Sequence, residues 1–138
     1  MTKVSMSTKL NVSADEAWKL IGGFNALPDW HPAVEKSELA EEGQQRRLDI
    51  AGGSVIVERL EKIDDGSRTY SYSIEESPLP VANYKSTLKV SGEGDACSVE
   101  WSSEFDPSGD ASEGDAMAAV RGIYQAGFDN LQKMFGGK

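Results

Sequence analysis

The sequence has one cysteine, one histidine and five prolines in 138 residues, and only 14 basic side chains against 23 acidic ones. Each scarcity excludes something. A single Cys97 cannot close an internal disulfide, and a lone thiol fits a reducing, cytoplasmic setting. With His31 and Cys97 as the only soft ligands, a zinc site or a Cys/His nucleophile pair has almost no material, so no cofactor is expected. A net charge of −9 opposes nucleic acid as a partner, because that affinity rests on Lys and Arg neutralising phosphate. The longest apolar stretches are Val55-Ile56-Val57 and Ala116 to Val120, far short of the roughly 18–20 residues of a membrane span. Met1 to Leu10 alternates Lys and Ser with apolar residues and carries no secretory h-region. Gly22-Gly23 and Gly52-Gly53 lack the spacing and the lysine of a phosphate loop. Apolar residues make up 38%, below the roughly 45–50% of typical globular chains, so a core has a thin margin and pattern must decide.

The pattern is clear. Val4, Met6, Thr8 and Leu10 alternate as one face of a strand. Ser13-Ala14-Asp15-Glu16 is a capping box, followed by a short helix with Ala17, Trp18, Leu20 and Ile21 on its apolar side. Phe24 to Leu27 is expected to form a second short helical turn, ahead of a loop, Pro28-Asp29-Trp30-His31-Pro32. From Val34 to Phe105 the chain is strand-like, broken by Glu41-Glu42-Gly43, Gly52-Gly53, Asp64-Asp65-Gly66, Ser77-Pro78-Leu79-Pro80 and Gly92-Glu93-Gly94-Asp95. Within it Tyr70, Tyr72 and Ile74 share a face. So do Tyr84, Ser86, Leu88 and Val90, and so do Cys97, Val99, Trp101, Ser103 and Phe105. Seven strands at short regular spacing predict an antiparallel sheet. Then the period changes. Met117, Val120, Tyr124, Phe128, Leu131 and Phe135 mark one face of a helix about five turns long, with Glu113 and Asp115 at its start and Gly136-Gly137 after its end. No repeat or linker divides residues 1–138, so one domain is expected. The simple arrangement is an α+β fold in which the sheet curves around the long helix. A cylinder cannot fill a broad concave surface, and the space left is the natural place for a ligand.

The order of elements, Trp30-His31-Pro32 after the short helices, Val57-Glu58-Arg59-Leu60, Tyr70-Ser71-Tyr72, Pro78-Leu79-Pro80-Val81 and the Trp101 strand together resemble one family over nearly the whole chain. It is the polyketide cyclase/dehydrase and lipid-transport family of the START-like (SRPBCC) superfamily. The resemblance implies a helix-grip fold: a seven-stranded curved antiparallel sheet around a long C-terminal helix, with two short helices after strand 1. It also implies a hydrophobic cavity between helix and sheet, in a single START-like ligand-binding domain. It does not imply one reaction, since members bind lipids, hormones or polyketides and some catalyse cyclisation or dehydration.

Two residues are candidates for chemistry. His31 is the only side chain with an unperturbed pKa near neutrality. It is either an acid/base at the cavity mouth or a loop residue bonded to a backbone carbonyl; the absence of a triad-type partner favours the second. Glu58 shares a face with Ile56 and Leu60. Facing inward it is a buried carboxylate whose pKa rises unless a cation pairs with it. Facing outward it is in a cross-strand salt bridge with Arg46, Arg47 or Lys89. Alternation leaves both open, because both faces of this strand mix charge and apolar groups.

The ligand-binding set is expected to be Trp30, His31, Glu58, Tyr72, Pro80, Tyr84, Trp101 and Tyr124. Buried Tyr and Trp need partners for OH and NH, which a polar-tipped ligand can supply; Tyr70 belongs to the same aromatic group. Ser86, Ser103 and Gly127 are read as leaving room. Arg121 is expected to reach solvent and Cys97 to be inert packing. The expected function is binding of a small hydrophobic or aromatic ligand, lipid or polyketide-like. The alternative is a cyclase/dehydrase-type enzyme using His31, Glu58 or a cavity tyrosine. No nucleic acid and no integral membrane association are expected, and the oligomeric state is expected to be monomer or weak homodimer.

Overall fold

The structure, a computed structural model, describes residues 2–77, 79–92 and 94–135. Pro78, Glu93 and Gly136-Gly137, which the sequence assigned to two turns and a helix stop, lie outside the described residues. The elements run β1 (Thr2–Leu10), α1 (Ala14–Ile21), α2 (Leu27–Trp30), β2 (Val34–Ala40), β3 (Gln45–Ile50), β4 (Ser54–Asp64), β5 (Thr69–Glu76), β6 (Val81–Ser91), β7 (Cys97–Pro107) and α3 (Glu113–Phe135). The seven strands form one antiparallel sheet in the order β1-β7-β6-β5-β4-β3-β2. This is the α+β helix-grip architecture. Every strand from β2 onward pairs with its chain neighbour. Only β1 does not: it lies against β7, so α1 and α2 carry the chain from one edge of the sheet to the other.

Period-two alternation puts the core on one face. Cys97, Val99, Trp101, Ser103 and Phe105 of β7 are buried, as are Tyr84, Ser86, Leu88 and Val90 of β6 and Tyr70 and Tyr72 of β5. Helix α3 covers this face with Ala116, Val120, Tyr124, Gly127, Phe128 and Leu131, spaced by three and four residues as a helical stripe requires. Each large apolar side chain so buried contributes about 1.5–3 kcal/mol.

Local sequence explains the element ends. The Ser13 side chain accepts from the Glu16 N–H at 3.2 Å, the cap the sequence predicted for α1. Trp18 Nε1 donates to Asp65 Oδ1 at 3.0 Å and pins α1 to the β4–β5 turn. Two boundaries differ from expectation. The second short helix is Leu27–Trp30, not Phe24 to Leu27, so it takes in most of the Pro28–Pro32 loop. Pro28 lies in its first turn, where a missing N–H costs no hydrogen bond. Helix α3 is 23 residues, roughly six turns rather than five, because Ser112 accepts from the Asp115 N–H and starts it early.

Candidate functional site

A cavity of about 260 Å³ lies between the middle of α3, the end of α2 and the concave face of β3 to β7. Its inner wall is made by buried residues: His31, Glu58, Tyr72, Tyr84 and Trp101 with Leu27, Leu48 and Ile56. Its outer wall is half-buried and apolar: Ile50, Ile74, Leu79 and Ile123. Grooves elsewhere, such as that over Ser71, Thr87 and Ser102 on the outer face of the sheet, are lined by hydroxyls and charges.

The charged part of the wall begins at a hairpin. Strands β3 and β4 turn through Ala51-Gly52-Gly53, with Gly52 and Gly53 at φ of 99° and 96°, a region closed to most side chains. Arg46 and Glu58 stand equally far from Gly52 and pair directly across the ladder. Both point inward. Arg46 Nε donates to Glu58 Oε1 at 2.8 Å, and Nη2 lies 2.6 Å from the same oxygen. Arg46 Nη1 donates to the Phe24 carbonyl at 2.6 Å. The guanidinium lies 4.2 Å from the Phe24 ring centroid and 5.1 Å from that of Tyr72. Burial works against the Arg46 charge, but the Glu58 carboxylate outweighs it and holds the guanidinium firmly protonated. Burial likewise pushes Glu58 above the ordinary carboxylate range, with Arg46 pulling it back. Glu58 is thus both inward and paired with Arg46, a combination of the two sequence alternatives.

A second polar group crosses β5, β6, β7 and α3. Trp101 Nε1 donates to Tyr72 Oη and Ser86 Oγ, each at 3.1 Å. Ser86 spends its own proton on the Ser102 carbonyl at 2.9 Å. Tyr124, 3.1 Å from Ser86 Oγ, must therefore donate to it, and Tyr84 must donate to Tyr124. The hydroxyls run as a directed chain, Tyr84 to Tyr124 to Ser86 to Ser102. Burial raises Tyr72 and Tyr84 well above the usual phenol value and also raises Tyr124, so all three stay protonated. The Tyr124 ring stacks on Trp101 with centroids 4.2 Å apart.

His31 is held from both sides. The Ile123 carbonyl, 2.8 Å from Nε2, can only accept, so Nε2 carries the proton. The Ala33 N–H donates to Nδ1 at 3.2 Å, so Nδ1 is bare. Burial lowers the pKa of the ring, against the upward pull of the Ile123 carbonyl. This is a neutral imidazole that fixes the α2–β2 connection to α3.

Of the eight residues expected to bind ligand, His31, Glu58, Tyr72, Tyr84 and Trp101 reach the cavity wall. Trp30 and Tyr124 stand behind it, touching Trp101. Trp30 Nε1 is buried with no hydrogen-bond partner among the described residues. Pro80 does not line the cavity. Its neighbour Leu79 does: the Val81 N–H donates to the Leu79 carbonyl at 2.8 Å, a tight turn centred on Pro80, and the Pro80 carbonyl accepts from the Ser108 N–H instead. Tyr70 packs between Trp18, Phe24 and Tyr72. Gly127 does not leave room: a Cβ there would lie 3.0 Å from both His31 and Trp30 and 3.3 Å from Trp101, whose rings already fill the space. Arg121 is exposed and Cys97 is buried, its thiol pushed up by burial. The sequence reading missed Arg46 as an interior residue. The signal was its place on the Leu48 and Ile50 face of β3, opposite Glu58 across the glycine turn.

Among the described residues no helix is long and apolar enough to cross a membrane, and no group of three or more His, Cys, Asp or Glu is placed to hold a metal ion. The family model described as polyketide cyclase / dehydrase and lipid transport matches residues 1–136. No curated protein matches. Among solved structures, the protein XoxI from Bacillus cereus is 42% identical, with 98% of this chain and 96% of that one covered and a TM-score of 0.94. A START superfamily protein from Mycobacterium smegmatis is 12% identical, with 99% and 98% covered and a TM-score of 0.81. The Zhui aromatase/cyclase from a Streptomyces species is 17% identical, with 96% and 92% covered and a TM-score of 0.77. The last two likenesses are of fold alone.

Proposed function

The chain belongs to the polyketide cyclase/dehydrase and lipid transport family of START-like (SRPBCC) proteins, and we propose from that premise that it is a binding module for a small hydrophobic or aromatic ligand. The observation that carries this reading is the cavity between α3 and the sheet, walled by aliphatic and aromatic side chains with a few convergent polar groups. Trp30, His31, Tyr84, Trp101 and Tyr124 shape it, and Glu58 and Tyr72 supply its polar end. Pro80 contributes through the segment that aims Leu79 inward. An apolar cavity of about 150 Å³ holds benzene, so about 260 Å³ suits one or two fused rings or a short acyl chain. The chain acts as one ligand-binding domain, monomer or weak homodimer, without nucleic acid or cofactor. The single Cys97 thiol supports a cytoplasmic setting.

Native mass spectrometry of the freshly purified protein tests this, with thermal unfolding across a lipid and aromatic library. A co-purifying small molecule, or a midpoint raised by a library member, is expected, since a native-state ligand at about 100 times its Kd stabilises by about 2.7 kcal/mol. No adduct and no shift across the library would refute it.

A second reading is cyclase/dehydrase-type catalysis, favoured by Glu58 and Tyr72 sharing one cavity. Glu58 would take a proton and Tyr72 would give one. His31 is less suited, with both nitrogens bonded to backbone. Unchanged turnover of a polyketide-like substrate in Glu58→Gln, Tyr72→Phe and His31→Ala would remove this reading.

A further inference from the structure

Arg46 spends both of its Glu58 contacts on one carboxylate oxygen. No donor among the described residues reaches the other, Oε2, although Glu58 is buried on the cavity wall. Beside it on the adjacent strand, two positions along the ladder, stands Tyr72. Its oxygen accepts from Trp101, but its own proton has no acceptor among the described residues. Tyr84, Tyr124 and Ser86 have spent theirs along the chain to the Ser102 carbonyl, and Ser103, whose buried Oγ has no hydrogen-bond partner among the described residues, does not line the cavity. The inner end of the cavity therefore offers one unused acceptor and one unused donor. We infer that the cavity receives a ligand hydroxyl head first: an uncharged apolar molecule whose alcohol or phenol O–H donates to Glu58 Oε2 and accepts from Tyr72. This rests on the cavity being a ligand site.

A hydroxyl satisfies both partners with a single uncharged atom that donates and accepts. A ketone accepts from Tyr72 but leaves Oε2 desolvated and unpaired. A carboxylate meets Glu58 as a like charge, and its natural partner is taken: Arg46 stands behind Glu58, bonded to it and to the Phe24 carbonyl, and no Lys or Arg among the described residues lines the cavity. Ile50, Leu79 and Ile123 at the outer wall take the apolar body. The specificity is for neutral alcohols over fatty or aromatic acids.

Isothermal titration of the intact chain at neutral pH with naphthalene, 2-naphthol and 2-naphthoate tests the inference. One hydrogen bond to a charged acceptor changes affinity about tenfold or more. Expected is 2-naphthol at least about tenfold tighter than naphthalene, with 2-naphthoate weakest. Glu58→Gln strands the buried Arg46 charge and could unfold the protein, so Tyr72→Phe is the variant to use. It removes the donor to the ligand oxygen and keeps the Glu58 acceptor, so the ratio of naphthol to naphthalene affinity, read within the variant, should fall by about threefold or more. Naphthalene binding as tightly as 2-naphthol, or 2-naphthoate binding tightest, overturns the hydroxyl inference and leaves the ligand site standing. Binding by none of the three overturns both.

Discussion

Replacing Arg46 with Met probes the interior most sharply. The substitution keeps an apolar stem and removes three things at once: the Nε and Nη2 contacts to Glu58, the Nη1 bond to the Phe24 carbonyl, and the cation over the Phe24 and Tyr72 rings. What remains is a carboxylate sealed in an apolar wall. Breaking a buried pair from one side costs about 3–5 kcal/mol, out of roughly 5–15 kcal/mol for a whole domain. Removing both charges in Arg46→Met/Glu58→Met should recover most of that loss, because the stranded charge and not the missing attraction dominates it. The single variant should also respond to pH in a defined sense. Without Arg46 the Glu58 carboxyl is raised further in the folded state than burial already raises it. A group whose folded pKa lies above its unfolded value favours the fold at low pH and loses that contribution as pH rises through the folded pKa. The deficit against wild type should therefore be small near roughly pH 5 and largest near roughly pH 8. Urea unfolding of wild type, single and double variants at both pH values measures this. A single-variant loss under about 1 kcal/mol at the higher pH, or a double variant no better than the single, would refute the reasoning.

Three further outcomes are expected. Gly127→Ala gains about 1 kcal/mol of helix propensity but crowds His31, Trp30 and Trp101 at 3.0–3.3 Å. Overpacking costs about 1–3 kcal/mol, so a net loss should appear in chemical denaturation, and a net gain would mean the rings yield freely. His31 is the only histidine, so nitrogen-detected NMR should show one neutral ring with its proton on Nε2. Its lowered folded pKa supports the fold above the unfolded value of about 6.5 and withdraws that support as pH falls; a ring titrating at or above its ordinary value contradicts the bonding described. Tyr124→Phe cuts the hydroxyl chain and leaves Tyr84 and Ser86 each short of a partner. It should cost about 1–3 kcal/mol by thermal unfolding, while a neutral substitution would show that water replaces the hydroxyl.

Much of this was legible residue by residue. The alternations in β5, β6 and β7, the Ser13 cap and the stripe on α3 each follow from local periodicity or chemistry, and local rules hold when one face of an element is buried. What stayed hidden depends on the meeting of distant segments. His31 is bonded to Ile123, 92 positions away, which no spacing rule reports. Gly127 reads as empty space until three rings from two other elements fill it. Arg46 lay between: its face was readable, but the glycine hairpin that sets it opposite Glu58 had to be counted from Gly52 outward. Pro80 lies in a turn, where alternation gives no guide: the Val81 N–H bonds back to the Leu79 carbonyl around it, and Leu79 takes the place on the wall.

The pairing of β1 with β7 also sets a schedule for folding. Thr2 faces Phe105 and Leu10 faces Cys97, so the first strand made waits for the last before its ladder can close. The contacts that anchor α3 to the same edge wait longer, with Gln132 donating to Thr8 and the Asn11 N–H to the Phe135 carbonyl. On the ribosome β2 to β6 can zip as successive hairpins. The concave face, and with it the cavity, closes only when α3 has emerged. A chain truncated within α3 leaves the apolar face of the sheet open to aggregation.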